Sequence, residues 1–143
     1  MPITAAEYKE ASGEVLRAAE NAHQSGDYVA SHYLCGLAVE CMLRALRWRH
    51  NRAWEGRHYL KALAEEAKYF DLISNRYRPR FVTQFNDLTR RWNNEHRFYP
   101  AEKLEAHLIK LNVGSKSSDR LFVNSAEMVE FAHDLVGIGV AKW

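Results

Sequence analysis

Apolar residues along this chain recur at intervals of three and four and show almost no alternation, a pattern that predicts helices and not strands. The longest such stretch, YVASHYLCGLAVECMLRALRWRH from Tyr28 to His50, places Val29, Tyr33, Leu37, Glu40/Cys41, Arg44 and Trp48 at helical spacing. Leu34, Ala38, Met42, Ala45 and Leu46 widen that stripe beyond a single face, so this helix is expected at the centre of a bundle, contacted on several sides. At ~1.5 Å per residue it would run roughly 35 Å. Glu40 breaks the apolar run, and Arg44 lies one turn on at i+4. A satisfied ion pair in the core is the expected reading, ahead of a catalytic carboxylate.

Shorter segments surround this one. Thr4-Ala-Ala-Glu7 has the form of a capping box, with Ile3 and Tyr8 at the spacing of a hydrophobic staple. Tyr8, Ala11, Val15, Ala18/Ala19 and Ala22 mark the apolar face of a first helix running to about His23. Ser25-Gly26-Asp27 is a short turn with Asp27 capping the central helix, which favours an antiparallel hairpin. After a loop around Gly56, Leu60, Leu63, Ala64 and Ala67 form the inner face of a short third helix. Pro79 suits the first turn of a fourth, with Phe81, Phe85, Leu88 and Trp92 facing in and Asn93-Asn94 as its end or kink. Pro100 opens a fifth, with Leu104, Leu108 and Leu111 inward, and Asn112–Asp119 is expected to be a mobile loop. Asn124-Ser-Ala-Glu127 resembles a second capping box. It predicts a last helix carrying Met128, Phe131, Ala132, Leu135 and Val136, preceded by an extended LFV at 121–123. Gly137 and Gly139 each cost that helix about 1 kcal/mol relative to Ala. The expectation is an all-α, up-and-down bundle of five to six helices in one domain spanning residues 1–143.

Composition supports a globular chain of that kind: 143 residues, 47% hydrophobic and 27% charged. No run of eighteen uncharged apolar residues occurs, so no membrane span is expected. MPITAAEYKE has no basic region followed by an apolar one, as a secretory signal would. Cys35 and Cys41, six apart on one helix and about 9 Å along its axis on diverging faces, cannot bridge each other. A cytoplasmic protein is expected. The net charge of +2 is unevenly spread. Residues 44–97 carry eleven Arg and two Lys against six acids, a net +7, and the remainder is −5. A basic surface facing an anion, nucleic acid first, is one reading; solvated or paired arginines are the other.

The chain has no P-loop, no dinucleotide glycine motif, no HExxH and no zinc ligand set, so neither a metal nor a cofactor is expected. The chemistry concentrates in RRWNNEHRFYP, residues 90–100, which holds three arginines, a histidine, two asparagines and three aromatics. A histidine exchanges protons near neutral pH, and an arginine grips a phosphate through its planar fork. Together they suffice for metal-free cleavage of RNA, the base deprotonating the 2′-hydroxyl while Arg stabilises charge at phosphorus. Arg91 and His96 are the candidate catalytic pair, with Arg90, Arg97, Asn93 and Asn94 as candidate RNA contacts. Five residues apart on a regular helix is about 140° of rotation, so the pair converges only if the helix breaks, Arg91 bends round, or a partner subunit supplies one group. Arg76, Arg78 and Arg80, alternating in RYRPR, are candidates to track a phosphate backbone or simply solvated; Asn51, Trp54 and Arg57 could flank a groove.

Over nearly its whole length the chain resembles the HEPN domain, a small helical family of prokaryotes and higher eukaryotes. YLCGLAVECMLRAL is similar to the family pattern Y-x-x-x-Y-A-V-E-C-x-L-K-A, and RHYLKAL at 57–63 resembles its next short helix. Many members carry Arg, four to six residues, then His, and Arg91-Trp-Asn-Asn-Glu-His96 fits the four-residue form, with Trp92 where a polar residue is common. A second alignment matches Trp92-Asn-Asn-Glu-His-Arg97-Phe98 to a Trp followed by Arg-Tyr, and leaves His96 at a variable position. The resemblance implies a homodimer, ribonuclease activity with a toxin or defence role, and for some members a nucleotidyltransferase antitoxin or partner. It also implies the alternative, a non-catalytic module that binds nucleotides or nucleic acid, or scaffolds such a partner.

Overall fold

Thr4 starts the first helix. Its side-chain oxygen accepts from the Glu7 amide at 3.2 Å, and the Glu7 carboxylate accepts from the Thr4 amide at 2.9 Å. Helix α1 runs Ala5–Gln24 and turns back through Gly26, whose φ of +83° favours glycine, into α2, Tyr28–Trp48. Asp27 accepts from the Ala30 amide at 3.3 Å, the expected cap. There follow α3, Leu60–Glu66; α4, Arg78–Arg91; α5, Ala101–Lys110; and α6, Arg120–Ala141. Short 3₁₀ segments at Tyr69–Leu72 and Asn94–Phe98 complete the order. The computed structural model describes residues 3–48, 58–114 and 119–143, and among these there is no strand. The architecture is an all-α helical bundle.

Helix α2 packs on α1, α6, α3 and the second 3₁₀ segment, and buries residues on every side. By length and apolar composition it would suffice to cross a membrane, but most of it is inside the bundle, and that burial accounts for its apolarity. The core cluster around it takes Ala19 from α1, Leu63 from α3, Phe85 and Leu88 from α4, and Met128, Ala132 and Leu135 from α6. Leu104, Leu108 and Val113 form a second, smaller cluster with Val29, Tyr99 and Leu121. Two glycines let the layers approach. A Cβ on Gly36 would overlap the Trp92 ring, and one on Gly139 would overlap Met42.

Several expectations are corrected. Residues 121–123 are helical and not extended, because α6 begins at Arg120, so Asn124 lies inside the helix and caps nothing. Its amide is instead 1% exposed and bonded across the core. The C-terminal end of α6 continues through Gly137 and Gly139 to Ala141, since close packing at Gly139 offsets the propensity cost there. Ala18 is exposed, whereas Ser12 and Ala19 face in. Residues 112–114 form a turn that buries Val113 and places Asn112 at φ +58°; the rest of the expected loop, residues 115–118, and the stretch holding Asn51, Trp54, Gly56 and Arg57 lie outside the described residues.

Candidate functional site

The motif at 90–100 is shaped by where α4 stops. Trp92 leaves the helix with an extended backbone (φ −109°, ψ 139°), and its indole seats on Gly36, stacked on Tyr33 with Nε1 donating to the Tyr33 carbonyl at 3.0 Å. Asn93 then caps the 3₁₀ segment: its side-chain oxygen accepts from the Glu95 amide at 2.8 Å, and its own amide donates to His96 Nδ1 at 3.2 Å. This fold-back turns His96 into the core, 2% exposed.

His96 is the end of a buried chain of hydrogen bonds with a single consistent direction. Arg91 can only donate, so Asn124 meets Arg91 Nη1 with its carbonyl oxygen at 3.5 Å. The Asn124 amide nitrogen therefore donates to His32 Nδ1 at 2.8 Å. His32, fully buried, then carries its proton on Nε2 and donates to His96 Nδ1 at 2.9 Å. The Asn93 amide shares that same acceptor, which leaves the His96 proton on Nε2. His107 adds a third ring, 4.8 Å from His96, and donates from Nε2 to the Arg91 carbonyl at 3.1 Å.

Electrostatics follow from this packing. Burial, with the neighbouring His96, His107 and Arg91, pushes His32 down to about 3; burial, with His107, pushes His96 down to about 4. Both rings are neutral at pH 7. His96 thus offers no free lone pair: its Nδ1 is doubly engaged and its Nε2 is protonated. Arg91 is 6% exposed, with Nη1 3.5 Å from Glu127 and its guanidinium 5.2 Å above Phe131. Its Nε has no hydrogen-bond partner among the described residues. The helix break at residue 92 does occur, yet the Arg91 guanidinium is joined to the His96 ring through Asn124 and His32 and not by a direct hydrogen bond among the described residues.

An open cavity of about 460 Å³ lies on the other side of the same turn. Among the described residues it is lined by His58, Tyr59, Leu60, Lys61 and Thr89, and by Trp92, Asn93, Asn94 and Glu95. Of the candidate RNA contacts, Asn93 and Asn94 therefore reach the cavity. Arg90 is turned to the Leu111 carbonyl at 3.0 Å and Asp87 at 3.5 Å, and Arg97 stacks on Phe98 beside the Tyr33 hydroxyl. Arg78 donates to the Ile73 carbonyl and Arg80 reaches Asp134 at 3.3 Å, so two of the three RYRPR arginines are engaged within the fold.

Sequence reasoning missed His32, His107 and Asn124 as partners of the motif; their one legible signal was polarity inside otherwise apolar helix faces. It also missed His58, whose Nδ1 lies 2.8 Å from Glu40 while Arg44, the expected partner, lies 3.3 Å from the other carboxylate oxygen. Nothing in the spacing of residues 40 and 58 announces that contact. No group of three His, Cys, Asp or Glu side chains is arranged to hold a metal ion among the described residues. Comparison of the chain with protein-family models, with curated proteins and with solved structures finds no match.

Proposed function

We propose that this chain is a HEPN-type RNA-binding domain that takes single-stranded RNA in the cavity beside residues 92–95, and not at a site built on Arg91 and His96. The observation that carries this reading is that residues 92–95 line an open cavity while both members of the pair are closed off beneath it. Single-stranded RNA is recognised by stacking of unpaired bases on aromatic rings and by hydrogen bonds to their edges. Tyr59 is 69% exposed at the cavity, Asn93 and Asn94 bring amides, and Lys61 brings a cation for a phosphate. Glu95 accepts from base amino groups and disfavours phosphate on its own side, so the backbone is expected towards Lys61. The family resemblance extends the proposal to a homodimer, for which light scattering should report about twice 16.6 kDa, and to a nucleotidyltransferase partner.

Binding of a labelled single-stranded oligoribonucleotide tests the site. Tyr59→Ala should weaken affinity by the ~1–3 kcal/mol typical of one base–aromatic stack. Lys61→Ala should lower the salt dependence by about one phosphate contact. Arg91→Ala and His96→Ala should act differently, each leaving a buried polar group without its partner and costing about 1–3 kcal/mol of folding stability. The alternative enzyme, with Arg91 and His96 as clamp and base, requires the reverse. If His96→Ala abolishes an RNA-cleaving activity at unchanged melting temperature, the cavity reading is wrong.

A further inference from the structure

Glu40 is a carboxylate inside the core, 4% exposed, and an ionised carboxylate there is costly unless its oxygens are partnered. Arg44 Nε meets one oxygen at 3.3 Å and His58 Nδ1 meets the other at 2.8 Å. A carboxylate accepts and does not donate, so the neutral His58 ring holds its proton on Nδ1 and its lone pair on Nε2. His58 is half-exposed and lines the cavity, and its Nε2 makes no hydrogen bond among the described residues. His96 is the opposite in each respect: buried, with its lone pair occupied and its proton on Nε2. A buried carboxylate that orients an imidazole, with the second nitrogen left open to a cavity, is the arrangement proton transfer requires.

We propose that His58, positioned by Glu40, is the general base of an RNA-cleaving site in this cavity, with Lys61 holding the scissile phosphate. The inference rests on the cavity as the RNA-binding site. His58 Nε2 takes the proton from a ribose 2′-hydroxyl as the 2′-oxygen bonds to the adjacent phosphorus. The bond from phosphorus to the 5′-oxygen breaks, water protonates that leaving oxygen, and His58 returns its proton to solvent. The products are a 2′,3′-cyclic phosphate and a 5′-hydroxyl, with no net oxidation or reduction.

Purified protein incubated with a single-stranded oligoribonucleotide should therefore leave cyclic phosphate ends, and a 2′-deoxy substitution at one position should block cleavage there. His58→Ala should lower the cleavage rate by ~10²–10⁴-fold with affinity for the oligomer retained. Glu40→Gln should lower kcat by a smaller factor with KM unchanged, because an amide oxygen still accepts from Nδ1–H but gives less support to the imidazolium formed during the reaction. A purely structural Glu40 would change stability without that selective loss of kcat. Should Glu40→Gln fail to fold, His58→Gln decides the matter, since residue 58 is half-exposed beside the start of α3. Binding without cyclic phosphate ends, or wild-type cleavage by His58→Ala, overturns the inference and leaves the binding site standing. Absence of binding removes both.

Discussion

Acidification from pH 6.5 to 4 should cost this protein several kcal/mol of folding stability, and the loss should begin above the range in which ordinary carboxylates titrate. The cause is the pair of neutral rings in the core. His32 is held down to about 3 and His96 to about 4, whereas in the unfolded chain each has an ordinary histidine value near 6.5. Below about 6.5 the unfolded state binds protons that the folded state refuses. The stabilisation is therefore complete above that pH and declines as pH falls towards the folded values. At pH 5 the penalty is about 2 kcal/mol for each ring. Protonation of His96 also converts Nδ1 from acceptor to donor, so it opposes both the His32 proton and the Asn93 amide. The groups acting on this pair from neighbouring helices are Arg91 from α4 and His107 from α5, and both oppose an added proton; Glu127 from α6 meets Arg91 instead. Denaturant unfolding at fixed ionic strength between pH 7 and 4 checks the slope. Imidazole resonances check its source, because the signals of His32 and His96 should stay at their neutral positions down to pH 5. Flat stability from pH 6.5 to 4.5, or two rings titrating near 6.5, would defeat this account.

Gly36→Ala should destabilise the fold by about 1–3 kcal/mol, the usual range for overpacking a core, although alanine is the better helix former. The new methyl would occupy the space of the Trp92 indole, which packs on α2 at that residue. The ring has little room to retreat, since it stacks on Tyr33 and its Nε1 is tied to the Tyr33 carbonyl. Displacement of Trp92 also moves one wall of the cavity, so oligoribonucleotide affinity should fall together with stability. Gly137 provides the contrast. A Cβ there meets nothing within 4 Å, so Gly137→Ala should stabilise by up to about 1 kcal/mol. Thermal melts of the two variants, with indole fluorescence followed in Gly36→Ala, separate steric overlap from helix propensity. Equal melting temperatures for both variants would mean that the indole yields freely.

Much of the bundle was legible in the chain itself, because the signals involved are local. The Thr4–Glu7 box, the Asp27 cap, Pro79 in the first turn of α4 and Pro100 before α5 all act within one helical turn, and all stand where the spacing put them. Periodicity likewise picked out Leu60, Leu63, Phe85, Leu88, Leu104, Leu108 and Leu135 as core, since burial of one helix face depends on that helix's own repeat. Local reasoning failed at Asn124, where the letters of a capping box sit inside α6 and the amide serves a contact 92 residues away in the chain.

The site was decided by contacts of that long-range kind. Sequence marked residues 90–100 as chemically dense and Glu40 as anomalous, and both lie at the site. It could not say which side of the turn each residue faces, because that depends on Trp92 docking against a glycine of another helix. The docking turns Arg91 and His96 inward, onto Asn124 and His32, and turns Asn93 and Asn94 outward to the cavity. It could not join Glu40 to His58 either, since a hydrogen bond between different elements leaves no periodic trace in sequence. Composition and spacing determined the helices and the inner face of each. Only the packing of those helices decided which histidine is sealed in the core and which stands open to solvent, because burial and hydrogen-bond direction belong to the assembled neighbours and not to the residue.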